Sequence, residues 1–136
     1  MKRYIVGLAI LILSGCFMFF VSLNSPTGYS VRDNDLRVIS VEDWVDGSSS
    51  EGVILDIRTK EEFEEYHIPG AINVDFYSES FLDELGELDR SKIYFTYCRT
   101  GRRSGIALDS FRQLGFKSVY DLKAGVVNYK NYVFKK

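Results

Sequence analysis

A chain of 136 residues with 46% hydrophobic content has room for one ordinary globular domain beyond a leader. Seventeen basic against nineteen acidic side chains leave a formal net charge of −2, which argues against an overall basic field for nucleic acid. One histidine and two widely separated cysteines cannot assemble a zinc-type ligand set, so neither a metal nor a cofactor is expected.

Met1-Lys2-Arg3 is a short positive start, and Tyr4 to Leu13 is unbroken apolar sequence, the n- and h-regions of an export signal. Leu13-Ser14-Gly15-Cys16 resembles the bacterial lipoprotein box, which implies cleavage behind Gly15 and lipidation of Cys16. Phe17 to Val21 stays apolar, so Tyr4 to Leu23 is also roughly long enough to cross a bilayer as an uncleaved anchor. Either alternative ties the globular part to a membrane on its extracytoplasmic side, periplasmic or cell-surface, because Lys2 and Arg3 stay inside. The expected organisation is therefore a signal or anchor at residues 1–23, a tether rich in turn formers at 24–35, and a domain at 36–136.

In the domain, Arg37-Val38-Ile39 reads as a short edge strand. Ser40 with Asp43 reads as a capping box for a brief helix through Trp44 and Val45, ended by Gly47-Ser48-Ser49-Ser50. Val53 to Ile57 is a continuous apolar run carrying one carboxylate, Asp56, as expected of a central parallel strand covered on both faces. Thr59 and Glu62 form a second capping box, with Phe63 and Tyr66 on one helix face and the neighbouring glutamates read as a solvated face. His67-Ile68-Pro69-Gly70 breaks that helix, and Ala71 to Val74 returns as a strand. Phe81, Leu82, Leu85 and Leu88 recur at helical spacing and are read as a core face, despite Gly86.

Lys92 to Tyr97 is the next strand, and it stops at Cys98. Arg102 onward is helical, with Ala107, Phe111 and Leu114 on the buried face and Gly115 as the stop. Val119 to Leu122 is the last strand, and a final helix packs near the Cys98 loop. Cys98 thus heads a strand-to-helix loop, where backbone N–H groups converge and the positive end of a helix dipole faces the same point. Such a setting binds anions and favours a thiolate over a thiol.

The loop Cys98-Arg99-Thr100-Gly101-Arg102-Arg103 resembles the active-site loop of the rhodanese (thiosulfate sulfurtransferase) family. Leu55-Asp56-Ile57-Arg58, followed by His67-Ile68-Pro69-Gly70-Ala71-Ile72-Asn73, resembles that family's first signature. Leu122-Lys123-Ala124-Gly125 through Tyr129 resembles its terminal element, with Ala124 where the family has a glycine and Tyr129 where it has a tryptophan. The resemblance spans about Arg37 to Tyr132 and implies an α/β fold with a roughly five-stranded, mostly parallel sheet and helices on both faces. The alternation of strands and helices independently requires crossover connections.

The resemblance implies that the Cys98 thiolate takes the outer sulfur of thiosulfate, releases sulfite, and passes the sulfur from its persulfide to a thiol or cyanide. Arg99 and Arg103, with Arg102 as a further candidate and the loop at Thr100 and Gly101, are the expected anion holders. Asp56 and Arg58 are read as a structural ion pair or as satisfying loop backbone. His67 is not required as a base, since an ionised thiol has no proton to remove. Two other classes stand beside this one. A sulfur carrier or binding module of the same fold, with a protein acceptor, is one. A cysteine phosphatase or arsenate reductase is the other, although only four residues separate Cys98 from Arg103, one fewer than the phosphatase loop Cys-x5-Arg.

Overall fold

The structure, a computed structural model, describes residues 35–50 and 52–133. The leader, its Cys16 and the tether up to residue 34 lie outside the described residues, and no helix among the described residues is long and apolar enough to cross a membrane.

Five strands, β1 (Asp35–Ile39), β2 (Val53–Asp56), β3 (Ile72–Asn73), β4 (Ile93–Tyr97) and β5 (Ser118–Leu122), form one sheet in the order β1-β5-β4-β2-β3. Every pairing is parallel, with Val53 opposite Tyr94, Phe95 opposite Tyr120, and Val38 opposite Asp121. Parallel neighbours need crossovers, and five helices supply them or close the chain: α1 (Val41–Ser50), α2 (Lys60–Glu65), α3 (Phe81–Glu87), α4 (Arg102–Gln113) and α5 (Gly125–Val133).

The period of two along β4 and β5 distributes side chains to two cores. Tyr94, Cys98 and Val119 join Phe81 and Leu85 of α3 and Ala107, Leu108 and Phe111 of α4. Phe95, Tyr97, Tyr120 and Leu122 join Trp44 of α1, with Val126 and Tyr129 of α5, on the other face. The fully buried Trp44 indole donates to the Thr96 carbonyl at 3.2 Å and meets the rings of Phe95, Tyr97 and Tyr129 edge-on. Tyr129 thus keeps an aromatic ring in this core at the position of the departure noted above.

Four local expectations are corrected. Helix α1 runs through Gly47-Ser48-Ser49-Ser50 rather than ending there, with the serine hydroxyls turned back onto the carbonyls of Val45 and Gly47 so that they do not break the turn. Leu82 is half exposed, so the α3 core face consists of Phe81, Leu85 and partly buried Leu88. Strand β3 has only two paired residues, since Ala71 is still in the turn that bonds back to Ile68. The tether gives way to β1 already at Asp35.

Candidate active site

Strand β4 delivers Cys98 at its carboxyl end, in the interior of the sheet, where open parallel sheets place their ligands. Gly101 closes the following loop at φ +87°, in the left-handed region, and its N–H points back at Cys98 Sγ with a separation of 3.1 Å. The next residue opens α4, so the loop is capped by a 12-residue helix whose N-terminus faces the sulfur.

The other side of the loop is held by α5. The Val126 N–H donates to the Cys98 carbonyl at 2.9 Å and the Val127 N–H to the Arg99 carbonyl at 3.3 Å. In a trans peptide the N–H points opposite to the carbonyl, so the Arg99 and Thr100 amides are turned away from α5. With the Gly101 amide they make a run of donors suited to an anion. This approach leaves no room at Gly125, where a Cβ would lie 2.4 Å from the Cys98 carbonyl oxygen. Cys98 itself is 1% exposed, so its sulfur is open only to a narrow reactant or an extended tip.

The three arginines part company. Arg99 and Arg102 are exposed, as is Thr100. Arg103 is placed differently from an open anion holder: its fork grips Glu62, Nη1 to Oε2 at 2.7 Å and Nη2 to Oε1 at 2.9 Å, and its guanidinium lies 5.5 Å from the centre of the Tyr77 ring. The Arg103 hydrogen bonds hold the Glu62 carboxyl down at about 2. Glu62 is therefore no solvated residue. It completes the expected capping box with Thr59 and uses the same carboxylate to fix the arginine of the Cys98 loop. The capping box was visible in the sequence, whereas a partner 41 positions away was not.

Asp56 and Arg58 form a structural pair. Arg58 Nε reaches both carboxylate oxygens at 3.0 Å, Nη2 reaches Oδ2 at 2.6 Å, and the guanidinium also donates to the Tyr66 carbonyl. Asn73 donates to the carbonyls of Asp56 and Arg58, 2.9 Å each, and so ties the turn before α2 to β3. His67 stacks on Phe63 with ring centroids 3.9 Å apart, and its Nδ1 lies 2.9 Å from the Phe63 carbonyl. That placement suits a helix-end prop.

A residue the sequence reading passed over lies beneath the loop. Asp121 of β5 is fully buried on the α4 side of the sheet, where Thr96 donates to its Oδ1 at 3.3 Å. Desolvation pushes its carboxyl up to about 7, and the hydrogen bond from Thr96 draws it only partly back. Ser104 Oγ and Asp121 Oδ2 are buried without a formed hydrogen bond among the described residues. A proton on Asp121 gives Ser104, in the first turn of α4, a donor. The only signal in the sequence was a carboxylate inside an apolar strand.

Comparison with known proteins agrees with this geometry. Residues 40–132 match the family model described as the rhodanese-like domain. The chain is 36% identical over 95 residues to the adenylyltransferase and sulfurtransferase UBA4 of Meyerozyma guilliermondii, covering 65% of this chain and 22% of that protein. It is 39% identical over 74 residues to the putative sulfur carrier protein YrkF of Bacillus subtilis, covering 54% of this chain and 38% of that one. The chain thus spans well under half the length of these relatives. A crystal structure of a rhodanese-related protein from Thermoplasma volcanium superposes with a TM-score of 0.63 at 25% identity, over 71% of this chain and 92% of that one.

Proposed function

The chain belongs to the rhodanese-like domain family, and from that premise we propose that it is a sulfurtransferase working through a persulfide on Cys98. The observation that carries the proposal is the cradle: a thiol at the end of a central strand, with the Gly101 amide on its sulfur and the Arg99 and Thr100 amides turned from α5. The Cys98 thiolate attacks the outer sulfur of a sulfane donor such as thiosulfate. The bond to the inner sulfur breaks, and sulfite leaves with that electron pair. The outer sulfur stays on Cys98 as a persulfide, whose charge the loop amides and the N-terminus of α4 stabilise.

Arg99, exposed at the loop, holds the oxygens of the incoming dianion, with Arg102 as a more distant contributor to the positive field. Arg103 is bound by Glu62, so its role is to fix the loop and present one face of a neutralised pair. An acceptor thiol or cyanide then attacks the persulfide's outer sulfur and regenerates the Cys98 thiolate. The lipoprotein-like stretch ending at Cys16 supports placing this chemistry at an extracytoplasmic membrane surface.

Incubation with thiosulfate is expected to add one sulfur atom's mass to the intact protein, and cyanide to remove it as thiocyanate. Cys98→Ser is expected to do neither. Failure to take up sulfur from thiosulfate, polysulfide or a thiosulfonate would overturn the reading. The similarity to a protein named as a sulfur carrier favours a second one, in which the domain hands its sulfur to a dedicated protein. Uptake without release to any small acceptor selects that alternative.

A further inference from the structure

Beside the Cys98 loop, a partly enclosed cleft of about 280 Å³ runs between α2 and α5. Arg99, the residue after Cys98, forms part of its wall, as does Val126, whose N–H holds the Cys98 carbonyl. A small inorganic dianion needs far less room than this, and small-molecule sites begin near roughly 300 Å³.

The charges lining the cleft sort into two groups. Arg58 is engaged by Asp56, and Glu62 by Arg103. Glu65 of α2, Arg99 of the loop and Lys130 of α5 have no ion-pair partner among the described residues, yet all three line the cleft. Lys130 is held there, its ammonium 3.9 Å from the centre of the Tyr66 ring. The cleft therefore presents two cations and one carboxylate to whatever enters it.

Resting on the sulfurtransferase reading above, we propose that this cleft is the acceptor subsite for a low-molecular-weight zwitterionic thiol, one carrying a carboxylate and an ammonium group as a free amino-acid thiol does. Lys130 and Arg99 take the carboxylate and Glu65 the ammonium, which leaves the thiol to reach the loop. After the acceptor thiol loses its proton to solvent, its sulfur bonds to the outer sulfur of the Cys98 persulfide. The bond from that sulfur to Sγ breaks, its electron pair returns to Cys98 as thiolate, and the acceptor departs as a persulfide. No oxidant or reductant is consumed.

The test loads the full chain with inorganic polysulfide, confirms the gained sulfur by intact mass, and follows discharge by cysteine, N-acetylcysteine and cysteine methyl ester. Rates are compared at equal thiolate concentration, each divided by the same thiol's rate with free polysulfide, so that acidity and intrinsic nucleophilicity both drop out. Cysteine is expected to lead each derivative by about fivefold, the effect of one ion pair in a half-open site. Glu65→Gln should erase the lead over N-acetylcysteine alone, and Lys130→Gln the lead over the ester alone. Equal rates for the three thiols, or variants that slow all three alike, overturn the subsite while leaving the sulfurtransferase reading in place. A protein that gains no sulfur at loading overturns both.

Discussion

At the residue scale, two carboxylates beside the loop, Glu62 and Asp121, respond to pH in opposite ways. Glu62 is held at about 2 by Arg103, below its ordinary value, so its contribution to stability is present above pH 4.5 and lost as pH falls toward 2. Asp121 is raised to about 7 from an ordinary 3.8 by burial. A folded-state value above the unfolded one means the folded chain keeps a proton that the unfolded chain releases. The associated stability is full below 3.8, falls as pH rises, and is gone above about 7. A shift of this size corresponds to a few kcal/mol, on the order of 4. Asp121→Asn keeps a donor for Ser104 and an acceptor for Thr96 without a titrating proton. Urea denaturation is therefore expected to show a flatter stability profile for the variant between pH 4 and 7, and a more stable variant than wild type at pH 8. An unchanged slope would mean that Asp121 is ionised in the fold.

At the scale of elements, the site is a junction of helix starts. Helix α4 begins under the sulfur and α5 begins against the carbonyls of Cys98 and Arg99, so both N-termini are spent on one loop. The turn into α5 carries a cost, because Ala124 sits at φ +61° where a residue with a Cβ is strained. Replacing Ala124 with glycine removes that strain and is expected to stabilise the domain by about 0.5–1 kcal/mol with sulfur uptake preserved. One position further on, the opposite holds. Gly125→Ala would drive a methyl group into the Cys98 and Arg99 carbonyls, destabilise by about 1–3 kcal/mol, and slow sulfur uptake because the loop itself is displaced. Thermal denaturation together with the loading assay separates the two outcomes. Glu62 illustrates the same economy, since one side chain caps α2 and fixes Arg103 of α4.

At the scale of the whole molecule, a parallel sheet with helices on both faces puts the strand ends of β2, β4 and β5, and the loops that follow them, on one side. Cys98, the Asp56–Arg58 turn and the start of α5 meet there. The lipoprotein-like reading of the N-terminal residues makes its own prediction. Mature protein is expected to begin at Cys16, to carry lipid, and to fractionate with membranes, as mass spectrometry of its N-terminus would show. An unprocessed Met1 terminus in the membrane fraction selects the uncleaved anchor, and a soluble, unmodified chain rules out both.

The sequence by itself determined the order and type of the elements, the strand-to-helix position of Cys98, the capping box at Thr59 and Glu62, and the family. These are local or periodic signals: an apolar run ending at a cysteine, a glycine at the turn, and side chains spaced three and four apart. The tertiary structure alone decided which arginine is engaged, because Arg103 meets Glu62 across 41 residues and nothing near either announces the other. It alone decided that Leu82 faces outward, since helical spacing leaves open which edge of an apolar stripe the sheet covers. It alone turned Asp121 into a titrating group, because desolvation depends on what packs over a carboxylate from α4 and β4. The cleft that holds Glu65, Arg99 and Lys130 likewise exists only once the fold brings α2, the Cys98 loop and α5 to one place, for charge complementarity is a property of distances in space.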